Sequence, residues 1–197
     1  MKYPLLLLLL ILSGCATTPH PIQKPDNLEQ QLTSLQSWNL NGKLGYRSAN
    51  QGGSAWIDWQ QRAQNFILTL SGPFGAGTTL IEGSENHAVL QRAGQPPLVA
   101  ENPAELTETL FGWQWPVEDL LYWVKGIPSA IQDVESATYN EQGLLTELQQ
   151  GDWALKFSNH SLNDDGLILP GKVIGKRDEI SFTLVVKSWQ LDTTDAN

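Results

Sequence analysis

The 197-residue chain has a single cysteine and three histidines, so side-chain chemistry must be built from these or from its serines and carboxylates. His20, His87 and His160 lie far apart, without metal-ligand spacing, and no second thiol is available to complete a site. The phrase Gly72-Pro73-Phe74-Gly75-Ala76-Gly77 is glycine-rich. It lacks the lysine and the serine or threonine of a phosphate-cradling loop. Glu118 and Asp119 follow Pro116, where acids favour a helix dipole. Asp164-Asp165-Gly166 has ordinary turn composition. No nucleophile–base or acid–base set can be assembled, so the expectation is a protein that is not an enzyme, with no cofactor and no metal. Cys15 is the remaining candidate, and its neighbours indicate its chemistry.

Lys2 supplies a positive start, residues 5–12 form an unbroken apolar run, and Ser13 and Gly14 are small. That order is a secretory signal. The run is too short to span a bilayer, which takes about 20 helical residues. Leu12-Ser13-Gly14-Cys15 resembles the lipobox of bacterial lipoproteins. Its cysteine receives a diacylglyceryl group on sulfur, and its new N-terminus is then acylated. The other reading is a plain secretory signal with a chance cysteine at the cut. Residues 1–14 are therefore expected to be a signal peptide. Residues 15–25 would be the lipidated cysteine and a flexible tether marked by Pro19, Pro21 and Pro25, and residues 26–197 one domain. Several acyl chains anchor stably, at about 0.8 kcal/mol per buried CH₂. Ala16 and Thr17 follow the cysteine, where lipoproteins retained in the inner membrane typically have Asp. The resemblance implies the outer membrane, with the body facing the periplasm.

The formal charge is −9, one unit more negative once Lys2 is removed, which argues against nucleic acid as a partner. Asp26 is expected to open a short helix, with Glu29 completing a capping box and Leu28, Leu32 and Leu35 forming one stripe. From Trp38 the apolar period becomes two, and further strands are expected over 54–60, 65–71, 78–82 and 87–92. Asn102-Pro103-Ala104-Glu105 starts a helix that ends at Gly112. Another starts at Pro116, puts Val117, Leu120, Leu121 and Val124 on one broad face, and stops at Gly126. Strands resume over 143–149, 153–158, 167–174 and 179–191. The last has Ile180, Phe182, Leu184 and Val186 on one face and Val185, Trp189 and Leu191 on the other. The class is α+β: a long antiparallel sheet interrupted by a helical insert.

Eight tryptophans are the other outstanding feature. Trp38, Trp153 and Trp189 look like strand-core or edge residues, while Trp56 and Trp59 fall on opposite faces of their strand. Trp113 and Trp115 occupy the connector between the two helices, where they must pack onto something or line an opening. Phe74 occupies a turn tip where polar residues are usual. It is either folded back on the sheet or an exposed apolar prong.

With these residues in view, the chain resembles the LolB family, outer-membrane lipoproteins that receive other lipoproteins from a periplasmic carrier and insert them. The resemblance rests on three parts. One is Leu70-Ser71-Gly72-Pro73-Phe74-Gly75, similar to the family's Asn-Pro-Leu-Gly turn. Another is Leu110-Phe111-Gly112 through Pro116, then Leu120, Trp123 and Gly126-Ile127-Pro128, similar to the family's helix pair and its Trp-x-x-Gly-Leu-Pro ending. The third is the lipobox. The resemblance implies an incomplete, half-open antiparallel β-barrel of about eleven strands with a helical lid over an apolar cavity. It implies a LolA-like periplasmic carrier, lipoprotein acyl chains and the inner leaflet of the outer membrane as partners, and the protein is expected to be a monomer. The family's membrane-insertion loop maps onto Pro73, Phe74 and Gly75, with phenylalanine for the usual leucine and Gly72 for the usual asparagine. Candidate acyl-cavity residues are Trp59, Phe66, Leu68, Trp113, Trp115, Leu120, Trp123 and Val124. The alternatives are a structural outer-membrane scaffold and a carrier of free apolar ligands.

Overall fold

In the computed structural model, which describes residues 24–75 and 77–191, the period-two segments pair into one open antiparallel sheet of eleven strands. Its first half runs β1 (Ser37–Arg47), β2 (Gly52–Arg62), β3 (Asn65–Ser71), β4 (Thr79–Ser84), β5 (His87–Arg92) and β6 (Leu98–Ala100). Two helices follow, α2 (Pro103–Phe111) and α3 (Val117–Trp123); α1 (Leu28–Ser34) precedes the sheet. The second half comprises β7 (Val134–Tyr139), β8 (Leu145–Gln150), β9 (Trp153–Ser158), β12 (Lys172–Arg177) and β13 (Ile180–Leu191). β10 (Ser161–Leu162) and β11 (Ile168–Leu169) form a separate short pair. The order β6-β5-β4-β3-β2-β1-β13-β12-β9-β8-β7 joins the halves through β1 and β13 and leaves β6 and β7 as free edges.

Register decides which side chains share a face. Leu40 pairs with Trp59, which pairs with Leu68, which pairs with Ile81, so one row of apolar residues crosses four strands. Between β1 and β13 the register shifts: Asn41 opposes Ser188, but Gly42 opposes Val186. Lys187 is thus the extra residue of a β-bulge. Because a one-residue offset inverts the faces, Trp189 and Leu191 join Phe182, Leu184 and Val186 on the buried face. The uninterrupted alternation expected for this strand, with Trp189 and Leu191 opposite Phe182, is corrected by that bulge. The Trp189 ring lies 5.3 Å from that of Trp38.

Helix α2 ends as its sequence requires. The Asn102 side chain accepts the Glu105 N–H at 3.1 Å and donates to the Glu105 carboxylate at 2.8 Å. Gly112 closes the helix at φ 76°, a conformation that favours glycine. The capping box expected at Asp26 does not form. Asn27 precedes α1 at φ −101° and ψ 10° and makes no side-chain cap bond. An extended N-cap residue is what brings its side chain back onto the first turn, and Asn27 is not extended. Leu28 and Leu32 are still buried in the main core, so packing holds this helix. Helix α2 lies against β5 and β6 and closes a smaller core of Ile81, Ala88, Leu90 and Leu106.

Candidate functional site

The connector between α2 and α3 is driven into the sheet. Trp113 and Trp115 stack at 4.8 Å with 17° between their planes, and both are buried. Trp115 lies 4.9 Å from Phe111 and 5.3 Å from Phe182, while Trp113 lies 5.5 Å from Trp153. The Arg177 guanidinium lies 5.0 Å from the Trp153 centroid and 5.9 Å from that of Trp113. Of the two openings left by the sequence, packing onto something or lining a mouth, the rings take the first. Among the described residues neither indole N–H of the stacked pair has a hydrogen-bond partner. Orphaned buried donors of this kind cost about 1–3 kcal/mol each, which keeps the closed lid from being the deepest possible well.

The next helix is pinned on one flank by a buried amide. The Gln150 side-chain oxygen accepts the Trp123 indole N–H and the Ser129 backbone N–H, each at 2.9 Å. Its nitrogen donates to the carbonyls of Ser129 and Gln132, at 2.8 and 2.7 Å. Leu120, Trp123 and Val124 face this packed side and are buried. Val117, Leu121 and Tyr122 face the other way and wall a hollow of about 200 Å³ with Trp59, Phe66 and Ile131. Five wall residues, Gln61, Ala63, Gln64, Leu121 and Tyr122, are shared with a second hollow of about 370 Å³ that extends to Trp38, Leu35 and Lys125. Of the residues expected to line an acyl cavity, Trp59 and Phe66 border open space. Leu68 is partly buried against both cores. Trp113, Trp115, Leu120, Trp123 and Val124 lie within the packed core.

Val117, Leu121 and Tyr122 were reachable from sequence, since Val117 and Leu121 belong to the same broad apolar face as Leu120 and Val124. A face that wide serves two surfaces, and periodicity does not divide it. Lys125 had no such signal. It is buried, its ammonium donates to the Leu35 carbonyl at 3.2 Å and lies 5.5 Å from the Tyr122 ring centroid. Among the described residues no carboxylate pairs with it.

Burial lowers the Lys125 pKa from 10.5 to about 8. Below pH 8 this amine is protonated in both the folded and the unfolded chain, and its desolvation opposes folding in full. Between pH 8 and 10.5 the unfolded chain holds the proton that the folded chain has released, so this residue's contribution to stability rises with pH. Lys125→Met is therefore expected to raise unfolding free energy at pH 7 by about 1–3 kcal/mol and to abolish the rise between pH 7 and 9.5. Urea titrations of both proteins at the two pH values measure this. An unchanged pH response in the variant would acquit the amine.

In the segment between β3 and β4, Pro73, Gly75, Gly77 and Thr78 are exposed. Pro73–Gly75 forms a single 3₁₀ turn closed by the Gly75 N–H on the Gly72 carbonyl at 3.1 Å. Gly75 and Gly77 have φ of 77° and 65°, and a side chain built on either would meet nothing within 4 Å. The backbone of Phe74 is described, its side chain is not, and Cys15 lies outside the described residues.

An eleven-stranded antiparallel sheet left open at both edges, with three helices against it, is a half-open barrel. A LolA superfamily protein from Nitrosomonas europaea shares the fold at TM-score 0.53 and 9% identity, over 86% of this chain and 93% of that one. The chain belongs to the LolB family, whose model, described as outer membrane lipoprotein LolB, matches residues 36–189. It is similar to the outer-membrane lipoprotein LolB of Cellvibrio japonicus, at 38% identity over 96% of this chain and 98% of that protein. That of Francisella tularensis is 34% identical over 94% and 92%.

Proposed function

We propose that this protein receives lipoproteins from a LolA-like periplasmic carrier and delivers them to the inner leaflet of the outer membrane, covering their acyl chains in transit. The observation that carries the reading is the apolar hollow between Trp59 and Phe66 on the sheet and Val117 and Leu121 on α3. At about 200 Å³ it is smaller than the roughly 300–1,000 Å³ of pockets that enclose drug-sized ligands. Acyl chains would enter by lifting α3 and its connector, and a lid with two orphaned indole donors has less to lose on lifting.

No covalent step is needed. Transfer runs downhill if this cavity covers the chains better than the donor does. Each additional buried CH₂ contributes about 0.8 kcal/mol, so two of them shift the partition by more than tenfold. Residues 1–14 would be removed as a signal, residues 15–25 would be the acylated cysteine and tether, and residues 26–197 the receiving domain. The lipid on Cys15 would hold the body at the outer membrane, facing the periplasm, and raise its local concentration there. Monomeric action suffices, since one chain supplies both hollow and lid.

The test is reconstituted transfer. A carrier loaded with a radiolabelled lipoprotein is mixed with this protein, then with liposomes, and each stage is followed by sedimentation. Passage from carrier to this protein and on to liposomes is the expected result. Saturable binding of a free fatty acid without any uptake from the loaded carrier would instead make the protein a carrier of free apolar ligands. No acyl binding at all would leave a scaffold.

A further inference from the structure

The two joined hollows differ in chemistry along their length. One end is walled mainly by Trp59, Phe66, Val117, Leu121 and Ile131, with Glu85 and Glu118 also among its walls. The other adds Thr33, Gln36, Asn65 and Lys125 to the Gln61 and Gln64 that both hollows share, with Leu35 and Trp38 beside them. That gradient, apolar at one end and donor-rich at the other, matches an amphipathic molecule better than a plain hydrocarbon. The ammonium provides the strongest donor. It can give three hydrogen bonds, of which the Leu35 carbonyl takes one. The groups next to it, the Leu35 carbonyl and the Tyr122 ring, are both walls of the polar hollow. A buried ammonium with spare protons and no counter-charge is costly unless an acceptor arrives.

We propose that the Lys125 hollow is a headgroup subsite that binds acyl carbonyl oxygens, those of the diacylglyceryl esters on a cargo lipoprotein's cysteine, while the chains lie toward Trp59 and Phe66. The assignment rests on the transfer reading above and deepens it. Neutral ester carbonyls suit the site because they accept from the ammonium without having to be stripped of a full charge's hydration. Gln61 is half committed, its oxygen accepting the Trp59 indole N–H at 3.0 Å and one of its two amide hydrogens donated to the Ala63 carbonyl at 2.7 Å. Lys125 is the charged donor among the described walls of this hollow, so it should dominate the preference.

The full protein in dodecyl maltoside micelles, a detergent without a carbonyl, is titrated with three brominated probes read by quenching of tryptophan emission. They are a dipalmitoylglyceryl-cysteine ester, its dihexadecyl ether analogue, and palmitate. The wild type should bind the ester about tenfold more tightly than the ether. Lys125→Met should bind both equally, at the affinity of the ether, while remaining folded by its urea transition. Equal binding of ester and ether by the wild type would overturn the subsite and leave the transfer reading intact. Tighter binding of palmitate than of the ester, lost in Lys125→Met, would overturn the ester assignment in favour of a free carboxylate. Quenching by none of the probes would overturn the transfer reading and the subsite together.

Discussion

Replacing Phe74 with glutamate is expected to leave acyl binding within about twofold of wild type and to slow delivery into liposomes by roughly 30-fold, for a transfer penalty near 2 kcal/mol. The reasoning starts from the turn. Pro73 and Gly75 are exposed, and neither Gly75 nor Gly77 has a neighbour that an added side chain would touch. The Thr78 hydroxyl donates to the Gly75 carbonyl at 2.9 Å, a brace within the loop itself. An apolar residue at the tip of such a loop gains by entering the acyl region of a leaflet, and a carboxylate there must be dehydrated or neutralised. The hollow under α3 does not include this loop among its walls, so uptake should be spared. Phe74→Leu serves as the control and should deliver at close to the wild-type rate. If the glutamate variant delivers cargo as fast as wild type while Phe74→Leu also does, the loop is not the part that meets the membrane.

Much of this architecture was legible in the sequence because alternation and turn residues carry it. β2, β3 and β5 lie where period-two runs end at Gly, Asn and Pro, and α2 has both of its caps written in residue types. What failed to show was whatever depends on a partner. β6 has only three residues and is made a strand by pairing with β5. β7 is almost wholly exposed, so no apolar alternation marks it, and its existence follows from β8 beside it. The bulge at Lys187 is invisible in a run that alternates acceptably in either register, yet it decides where Trp189 points. The site divided in the same way. Trp59 and Phe66 could be read as apolar strand residues on one face, since Gln61 opposes Phe66 and Trp59 opposes Leu68. The assignment of Leu120 and Val124 to the core, and of Val117 and Leu121 to the hollow, needed the position of α3 against the sheet.

If α3 lifts as proposed, its position also says on which flank it is held. On the β8 flank α3 is tied by Trp123 to a side-chain amide whose hydrogen-bonding capacity is fully used, while on the β2–β3 flank Leu121 and Tyr122 border space. Under the proposed entry route, lifting should therefore start at Leu121 and Tyr122 and be completed by breaking the Trp123 bond to Gln150. Gln150→Leu, close in volume, removes that tie. It leaves the Trp123 indole N–H, the Ser129 N–H and the carbonyls of Ser129 and Gln132 without the partners they now have. Buried groups stranded in this way cost about 1–3 kcal/mol each before relaxation, and partial relaxation brings the expected total to about 4 kcal/mol. For a chain of this size that corresponds to a fall in Tm of roughly 8–16 °C. The same change should speed entry of an acyl probe at temperatures where the variant is still folded, because the closed lid has lost this tie while the walls of the hollow are untouched. Calorimetry and stopped-flow probe binding read the two effects separately. A large drop in Tm with unaltered entry would mean that the lid opens without straining this knot, and that Trp123 stays in place while α3 gives way elsewhere.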